Sequence, residues 1–227
     1  MAVTLNQVAP WGRTLDEYRH LFDLTADDLE KRIVGVADGP ASFNAEMHAL
    51  GRRVISVDPL YAFTAEQIAE RVHDTWRNMV DQLWNDLDDY VWTRFATPNQ
   101  LGQHRLHAMQ TFGADLPLGL AQGRYVVGEL PRLDFGDDLF DIALCSHFLF
   151  LYSAQLSGDF HVAALLEMAR MAAEVRVFPL LDLNCQPSVH IAPVSAALQA
   201  AGLTVEIQPV PYEFQRGGNQ MMRISRT

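Results

Sequence analysis

The chain has 227 residues, 49% of them hydrophobic, enough to bury a core without a metal or disulfides, and one domain (1–227) is the default. A formal net charge of −11, with no run of Lys and Arg, argues against a nucleic-acid partner, because such a chain repels a phosphate backbone. The two cysteines, Cys145 and Cys185, stand in neither a CxxC nor a zinc spacing and fit buried free thiols in a reduced, cytoplasmic protein. Residues 1–12 lack the apolar stretch of a signal peptide. The longest apolar run, 139–152, is interrupted by Asp141, Ser146 and His147 and is too short to span a bilayer, so no membrane partner is expected.

In chain order, Thr14-Leu15-Asp16-Glu17 is a capping-box pattern with Thr14 as N-cap. It predicts a helix through Tyr18, Leu21 and Phe22, and Thr25 with Asp27, Asp28 and Leu29 predicts a further helical turn. Together they make an N-terminal helical cap over 14–30. Ile33-Val34-Gly35-Val36-Ala37 reads as a short buried strand and Asp38-Gly39-Pro40-Ala41-Ser42 as a tight turn. Residues 43–50 read as a helix closed by Gly51, and 53–57 as a second strand with Asp58-Pro59 at its carboxyl end. A small-residue turn lets a ligand approach the backbone, and an acid about 20 residues on can take two ribose hydroxyls. This stretch therefore predicts a site for an adenosine-containing cofactor.

Ile68, Val72, Trp76, Met79, Leu83, Leu87 and Val91 recur at three- or four-residue steps, one face of a helix that Pro98 is expected to stop. Residues 101–112 predict one more helix. The segment 61–113 thus reads as a helical insertion after the second strand, too long for a plain connection. Trp76, Trp84 and Trp92 are expected on the insertion helix chiefly as packing, with an apolar acceptor wall as the alternative. Asp81, Asp86, Asp88 and Asp89 read as a solvated face. His104 and His107 have a suitable spacing for a metal but no third ligand nearby, so they are taken as surface residues and no metal is expected.

Tyr125-Val126-Val127 reads as a strand, followed by the loop Gly128-Glu129-Leu130-Pro131. The apolar run 140–145 has the character of a strand buried on both faces. A helix over 160–173, a strand over 174–178 and a helix over 189–201, closed by Gly202, come next. Strands 203–210 and 220–225 have no helix between them and must pair antiparallel. The pattern predicts an α/β fold: a Rossmann-like, doubly wound, mostly parallel seven-stranded sheet with an antiparallel C-terminal hairpin.

Over 33–224 the chain resembles the class I S-adenosylmethionine (SAM)-dependent methyltransferases. Ala37-Asp38-Gly39-Pro40-Ala41 looks like that family's first motif, Asp58 like its ribose-binding acid, and Glu129-Leu130 like the loop that flanks the adenine. Residues 140–145 look like the fourth strand, which ends beside the methyl donor at Ser146. The string 39–46 also resembles an uncharacterised subgroup of bacterial methyltransferase-like proteins. The resemblance implies SAM as cofactor, held by Ala37, Asp38, Gly39, Pro40, Asp58, Glu129, Leu130 and Ser146, and a small-molecule methyl acceptor as partner. It departs from the family where an acid usually stands two residues before the first glycine. Gly35 holds that place, Ala37 and Ala41 replace two glycines, and Asp38 is the candidate for the missing carboxylate.

Methyl transfer is an in-line displacement that needs alignment above all, and a base only when the acceptor loses a proton. His147, directly after the fourth strand, is the candidate base, with an inert buried histidine as the alternative. Tyr18, Tyr152 and Asp182 are the candidates around the acceptor, with core packing for the tyrosines and turn formation for Asp182 as alternatives. Two rival readings remain. A nicotinamide-dependent oxidoreductase meets a failed GxGxxG spacing (Ala37, Gly39, Ser42) and lacks a Tyr-x-x-x-Lys pair. A non-catalytic SAM-binding domain is motivated by the altered motif. A protein-binding insertion has only its tryptophans in favour, and the oligomeric state is not legible.

Overall fold

Seven strands form one sheet: β1 (Ile33–Val36), β2 (Val54–Val57), β3 (Tyr125–Val126), β4 (Phe140–Ser146), β5 (Ala172–Phe178), β6 (Leu203–Pro209) and β7 (Gln220–Arg226). The computed structural model describes residues 11–226, the side chains at 74 and 75 apart, so most of the stretch read against a signal peptide lies outside it. The strand order is β3-β2-β1-β4-β5-β7-β6. Pairing is parallel from β3 to β5, and β7 enters antiparallel between β5 and β6. This is the mostly parallel sheet with an antiparallel terminal hairpin that the methyltransferase resemblance implies.

Among the described residues six α-helices accompany it: α1 (Leu15–Leu21), α2 (Phe43–Ala49), α3 (Ala65–Asn85), α4 (Pro98–Ala121), α5 (Gly158–Met171) and α6 (Ile191–Ala200). Side chains alternate along a strand, so the buried strands feed two cores. Ile33, Val54, Ile142 and Leu144 face α1 and α2, where Tyr18, Phe22, Phe43 and Met47 pack. Val34, Val36, Ala143, Cys145 and Val175 face α5 and α6, meeting Leu165, Met168, Val194 and Leu198. A third cluster ties the insertion to β3, with Ile68 and Val72 of α3 and Met109, Phe112 and Leu116 of α4 around Tyr61 and Tyr125.

Both capping boxes form. Thr14 accepts the Glu17 N–H at 3.3 Å and Thr64 accepts the Gln67 N–H at 3.3 Å, each reciprocated by the N3 side chain. The insertion differs from its expected layout. α3 ends at Asn85, so Leu87, Val91 and Trp92 lie in the connection, where Val91 N–H donates to the Phe214 carbonyl at 2.8 Å. A long-range backbone pairing, Tyr90 with Gln215, has overridden the helical periodicity. Pro98 stops nothing; it opens α4 behind the N-cap Thr97, because the first helical position needs no N–H. α4 then continues past Gly113 to Ala121.

Candidate functional site

The order of the sheet reverses between β1 and β4, and in open α/β sheets ligands bind at such a switch point, outside the strand carboxyl ends. A cavity of about 370 Å³ opens there. The turn after β1 contributes Ala37, Asp38, Gly39 and Pro40; Asp58 comes from the end of β2, Glu129 and Leu130 from the loop after β3, and Ser146 and His147 from the end of β4. Residues up to 110 positions apart in sequence thus meet because four parallel strands end on one edge.

The turn is built around two carboxylates. Asp58 accepts the Gly39 N–H at 2.9 Å and the Leu60 N–H at 2.8 Å, one on each oxygen, which leaves each oxygen a lone pair for a hydroxyl donor. Burial raises its pKa to about 6; the two N–H bonds oppose the rise, and Asp38 and Glu129 add to it. Asp38 explains the departure at Gly35. A Cβ on residue 35 would overlap the Asp38 carboxylate, so that carboxylate fills the space where the resemblance expects an acid on β1. Tyr18 Oη donates to one Asp38 oxygen and Ser56 Oγ to the other at 2.5 Å. Burial raises the Asp38 pKa against those two bonds. Ala37 and Gly39 have φ of +54° and +56°, so alanine adopts the left-handed conformation the turn requires.

A strap that the sequence did not single out crosses this turn. Gly12 passes so close to the Pro40 carbonyl that any Cβ would collide with it, and the Arg13 carbonyl accepts the Ser42 N–H at 3.0 Å. Trp11 and Arg13 consequently line the cavity. Beneath the strap, the fully buried Glu17 carboxylate takes bonds from Arg105 of α4, from Tyr212 Oη at 3.1 Å and from the Thr14 N–H at 3.2 Å, with His104 Nε2 at 3.2 Å. His104, expected at the surface, is half-buried here, whereas His107 is exposed.

A second cavity of about 230 Å³ adjoins the first, and Trp11, Arg13 and His147 line both. Its remaining wall comes from α3 (Met79, Leu83), from Tyr90, from Leu151 and Tyr152, and from Phe178, Tyr212 and Phe214. His147 has φ +53°, its N–H donates to the Phe178 carbonyl at 2.6 Å, and its Nδ1 lies 2.9 Å from Ser146 Oγ. Burial, then the charges of Arg13 and Arg105, hold its pKa well below the usual range, so the ring is neutral at neutral pH. A neutral imidazole has a lone pair free to accept a proton, although the lowered pKa makes this one a weak base.

Of the three residues expected around an acceptor, Tyr152 lines the second cavity, while Tyr18 lines the first and holds Asp38. Asp182 lines neither cavity; its Oδ1 accepts the Asn184 and Gln186 N–H groups at 2.8 and 3.0 Å and shapes the turn after β5. Trp76 and Trp84 are on α3, Trp84 exposed, and Trp92 packs on Phe214. Besides the strap, sequence reading missed Tyr61, whose Oη donates to the Gly39 carbonyl at 2.9 Å, and the Tyr90/Phe214 pair. None of these carries a local motif; only the fold brings them to the site.

The chain is 32% identical over 216 residues to the uncharacterized protein MJ0045 of the archaeon Methanocaldococcus jannaschii, covering 95% of both proteins. The two belong to one family. No protein-family model matches the chain. Among solved structures, the chain is similar to magnesium protoporphyrin IX methyltransferase from Synechocystis PCC 6803 with bound S-adenosylhomocysteine (SAH), at 13% identity and TM-score 0.48, covering 94% of this chain and 82% of that one. It is also similar to a TehB-like SAM-dependent methyltransferase from Corynebacterium glutamicum, at 12% identity and TM-score 0.46, covering 87% and 80%. The chain's own strand order and pairing define its fold. Among the described residues no helix is long and apolar enough to cross a membrane.

Proposed function

We propose that the protein is a SAM-dependent methyltransferase acting on a small molecule. The observation that carries this reading is the meeting, in one cavity at the switch point, of the β1 turn, a half-buried acid at the end of β2 and the loop after β3. Asp58 would take the ribose hydroxyls on its two free lone pairs. The Asp38 carboxylate would hold the methionine ammonium, oriented by Tyr18 and Ser56, and the backbone around Glu129-Leu130 would flank the adenine. The Asp38 geometry also answers the altered motif that favours a non-catalytic domain, because a carboxylate is present although Gly35 has none. When bound, the cofactor supplies a methyl on a sulfonium, which passes to an acceptor lone pair as the C–S electron pair collapses onto sulfur. His147, at the shared wall, would accept a proton from an acceptor that loses one. The two free cysteines fit a cytoplasmic setting, and the net charge disfavours a nucleic-acid acceptor.

Calorimetric titration with SAM and SAH tests the reading, with micromolar binding of both expected. Asp58→Asn keeps the side-chain shape and an acceptor oxygen for one N–H but loses the charge. It should weaken SAH binding by at least roughly tenfold, the usual loss for a hydrogen-bonded charge, with an unchanged circular-dichroism spectrum. Equal affinity in Asp58→Asn would overturn the cofactor assignment. Methyl release to a broad acceptor panel separates an enzyme from a SAM-binding domain without turnover.

A further inference from the structure

The second cavity carries an unbalanced positive charge in an otherwise acidic protein. Of the residues lining it, Arg13 alone is charged at neutral pH; Tyr90 and Tyr212 are held neutral, burial raising each to about 12, and His147 is neutral as well. Arg13 has no carboxylate within ion-pair distance among the described residues, and residues 1–10 contain no acid. Its Nη1 donates to the Trp11 carbonyl at 2.9 Å, and its Nε is buried without an acceptor among the described residues. Glu17, the carboxylate whose charge acts on Arg13, is already engaged by Arg105, Tyr212, His104 and the Thr14 N–H. Glu17 therefore pairs with Arg105 and reaches Arg13 only through its longer-range field. Burial and the Arg105 charge lower the Arg13 pKa to about 10, still charged at neutral pH. A guanidinium left unpaired in a cavity is costly unless something anionic completes it. The Trp11 indole N–H, on the same wall, is likewise buried without an acceptor among the described residues.

Beside Met79, Leu83, Leu151 and Leu183, the wall is rich in aromatic rings. Tyr90 stacks on Phe214 with ring centres 4.7 Å apart, and Phe178 meets Tyr212 edge-on at 5.8 Å. Flat rings gain most against such surfaces. We propose that the second cavity binds an aromatic carboxylate, its ring among Tyr90, Phe178, Tyr212 and Phe214 and its carboxylate on Arg13. That this molecule is the methyl acceptor rests on the methyltransferase reading; that the cavity binds it does not.

The test is calorimetry of the full chain, with and without saturating SAH, using benzoate, phenylacetate and 4-hydroxybenzoate against their matched neutral amides. The acids should bind at least roughly tenfold more tightly than the amides, as expected of a charge-assisted bond. Arg13→Gln should bring the acids down to the amide level. Equal binding of acids and amides by the native protein overturns the proposal, and this comparison needs no variant to fold. The other source of a carboxylate is the methionine part of the cofactor. If Arg13→Gln weakens SAH but not 5′-methylthioadenosine, which lacks that part, and leaves the acids unaffected, Arg13 serves the cofactor and the proposal falls. If SAH does not bind at all, the methyltransferase reading fails, and the acid–amide comparison without SAH still decides the charge of the ligand.

Discussion

Ala37 holds a φ of +54° at a place where the first motif of the methyltransferases has glycine. The left-handed conformation costs a residue with a Cβ about 1 kcal/mol or more. Ala37→Gly should therefore raise stability by about 1 kcal/mol, seen as a higher urea midpoint at an unchanged slope. A lower midpoint would mean that the alanine methyl packs well enough to outweigh its backbone. Asp58 gives a second prediction. With its pKa raised to about 6 by burial, it is ionised above that pH and protonated below it. In the proposed site the ribose hydroxyls would donate to the ionised form, so cofactor binding would expel the proton at low pH. SAH affinity should be flat above about pH 7 and fall roughly tenfold per unit below pH 6. The same titration on Asp58→Asn should be flat throughout; a native profile without the break would deny the acid its part in binding. Asp58 and the turn were legible in the sequence because a tight turn and an acid after the next strand are local signals. The standing of Asp38 over Gly35 was only half legible. The two residues are near in sequence, but the donors that orient the carboxylate, Tyr18 and Ser56, come from other elements.

The strands and the α5 and α6 helices follow their sequence signals to within a few residues, since burial on both faces leaves a continuous apolar run that a chain can hide only in a central strand. The insertion was read less well. Its periodicity runs on through Leu87 and Val91, yet α3 stops at Asn85, because backbone groups of 88–91 find better partners in the loop between β6 and β7. Arg216 fastens this junction. Its Nε donates to the Asp88 carbonyl at 2.9 Å, its Nη2 to the Tyr90 carbonyl at 3.2 Å, and its own N–H to the Asp89 carbonyl at 2.8 Å. No local pattern announces a pairing across more than 120 residues. The junction also sets one wall of the second cavity, which places Tyr90 beside Phe214 and Gln215. Arg216→Ala removes two exposed side-chain bonds and should cost about 1 kcal/mol. Its stronger effect should be local. Proteolysis within 86–97 should speed up while SAH affinity is unchanged, because the first cavity does not include this segment. A parallel loss of SAH binding would show that the two cavities are not separable.

Three segments distant in sequence meet at Glu17: the strap with α1, α4 through Arg105, and the stretch after β6 through Tyr212. The strap, α1 through Tyr18, and Tyr212 carry parts of the cavity walls, and Arg105 of α4 braces them through Glu17. Arg105 is almost fully buried, with its guanidinium 5.8 Å from the Trp11 ring centre and 5.9 Å from that of Phe95. Burial pulls the Glu17 pKa up, but the Arg105 charge, the His104 and Arg105 bonds and the Arg13 charge together hold it well below the carboxylate range. A carboxylate with a depressed pKa contributes stability that is present above its unfolded value, near 4.5, and is lost as pH falls toward the folded value. Glu17→Gln leaves the Arg105 charge buried without its counter-ion. Breaking such a pair from one side costs about 3–5 kcal/mol, so the urea midpoint at neutral pH should drop sharply. The variant should also lose the part of the acid sensitivity that Glu17 supplies, giving a flatter stability profile below pH 4.5 than the native chain. Arg105→Met tests the opposite side. It removes the positive charge but strands Glu17, whose pKa must then rise, so its stability should improve as pH falls through the carboxylate range, opposite in sign to the native cluster. If both variants kept native stability and native acid profiles, the cluster would not be what holds the strap over the turn, and the cavity walls would owe their positions to apolar packing alone.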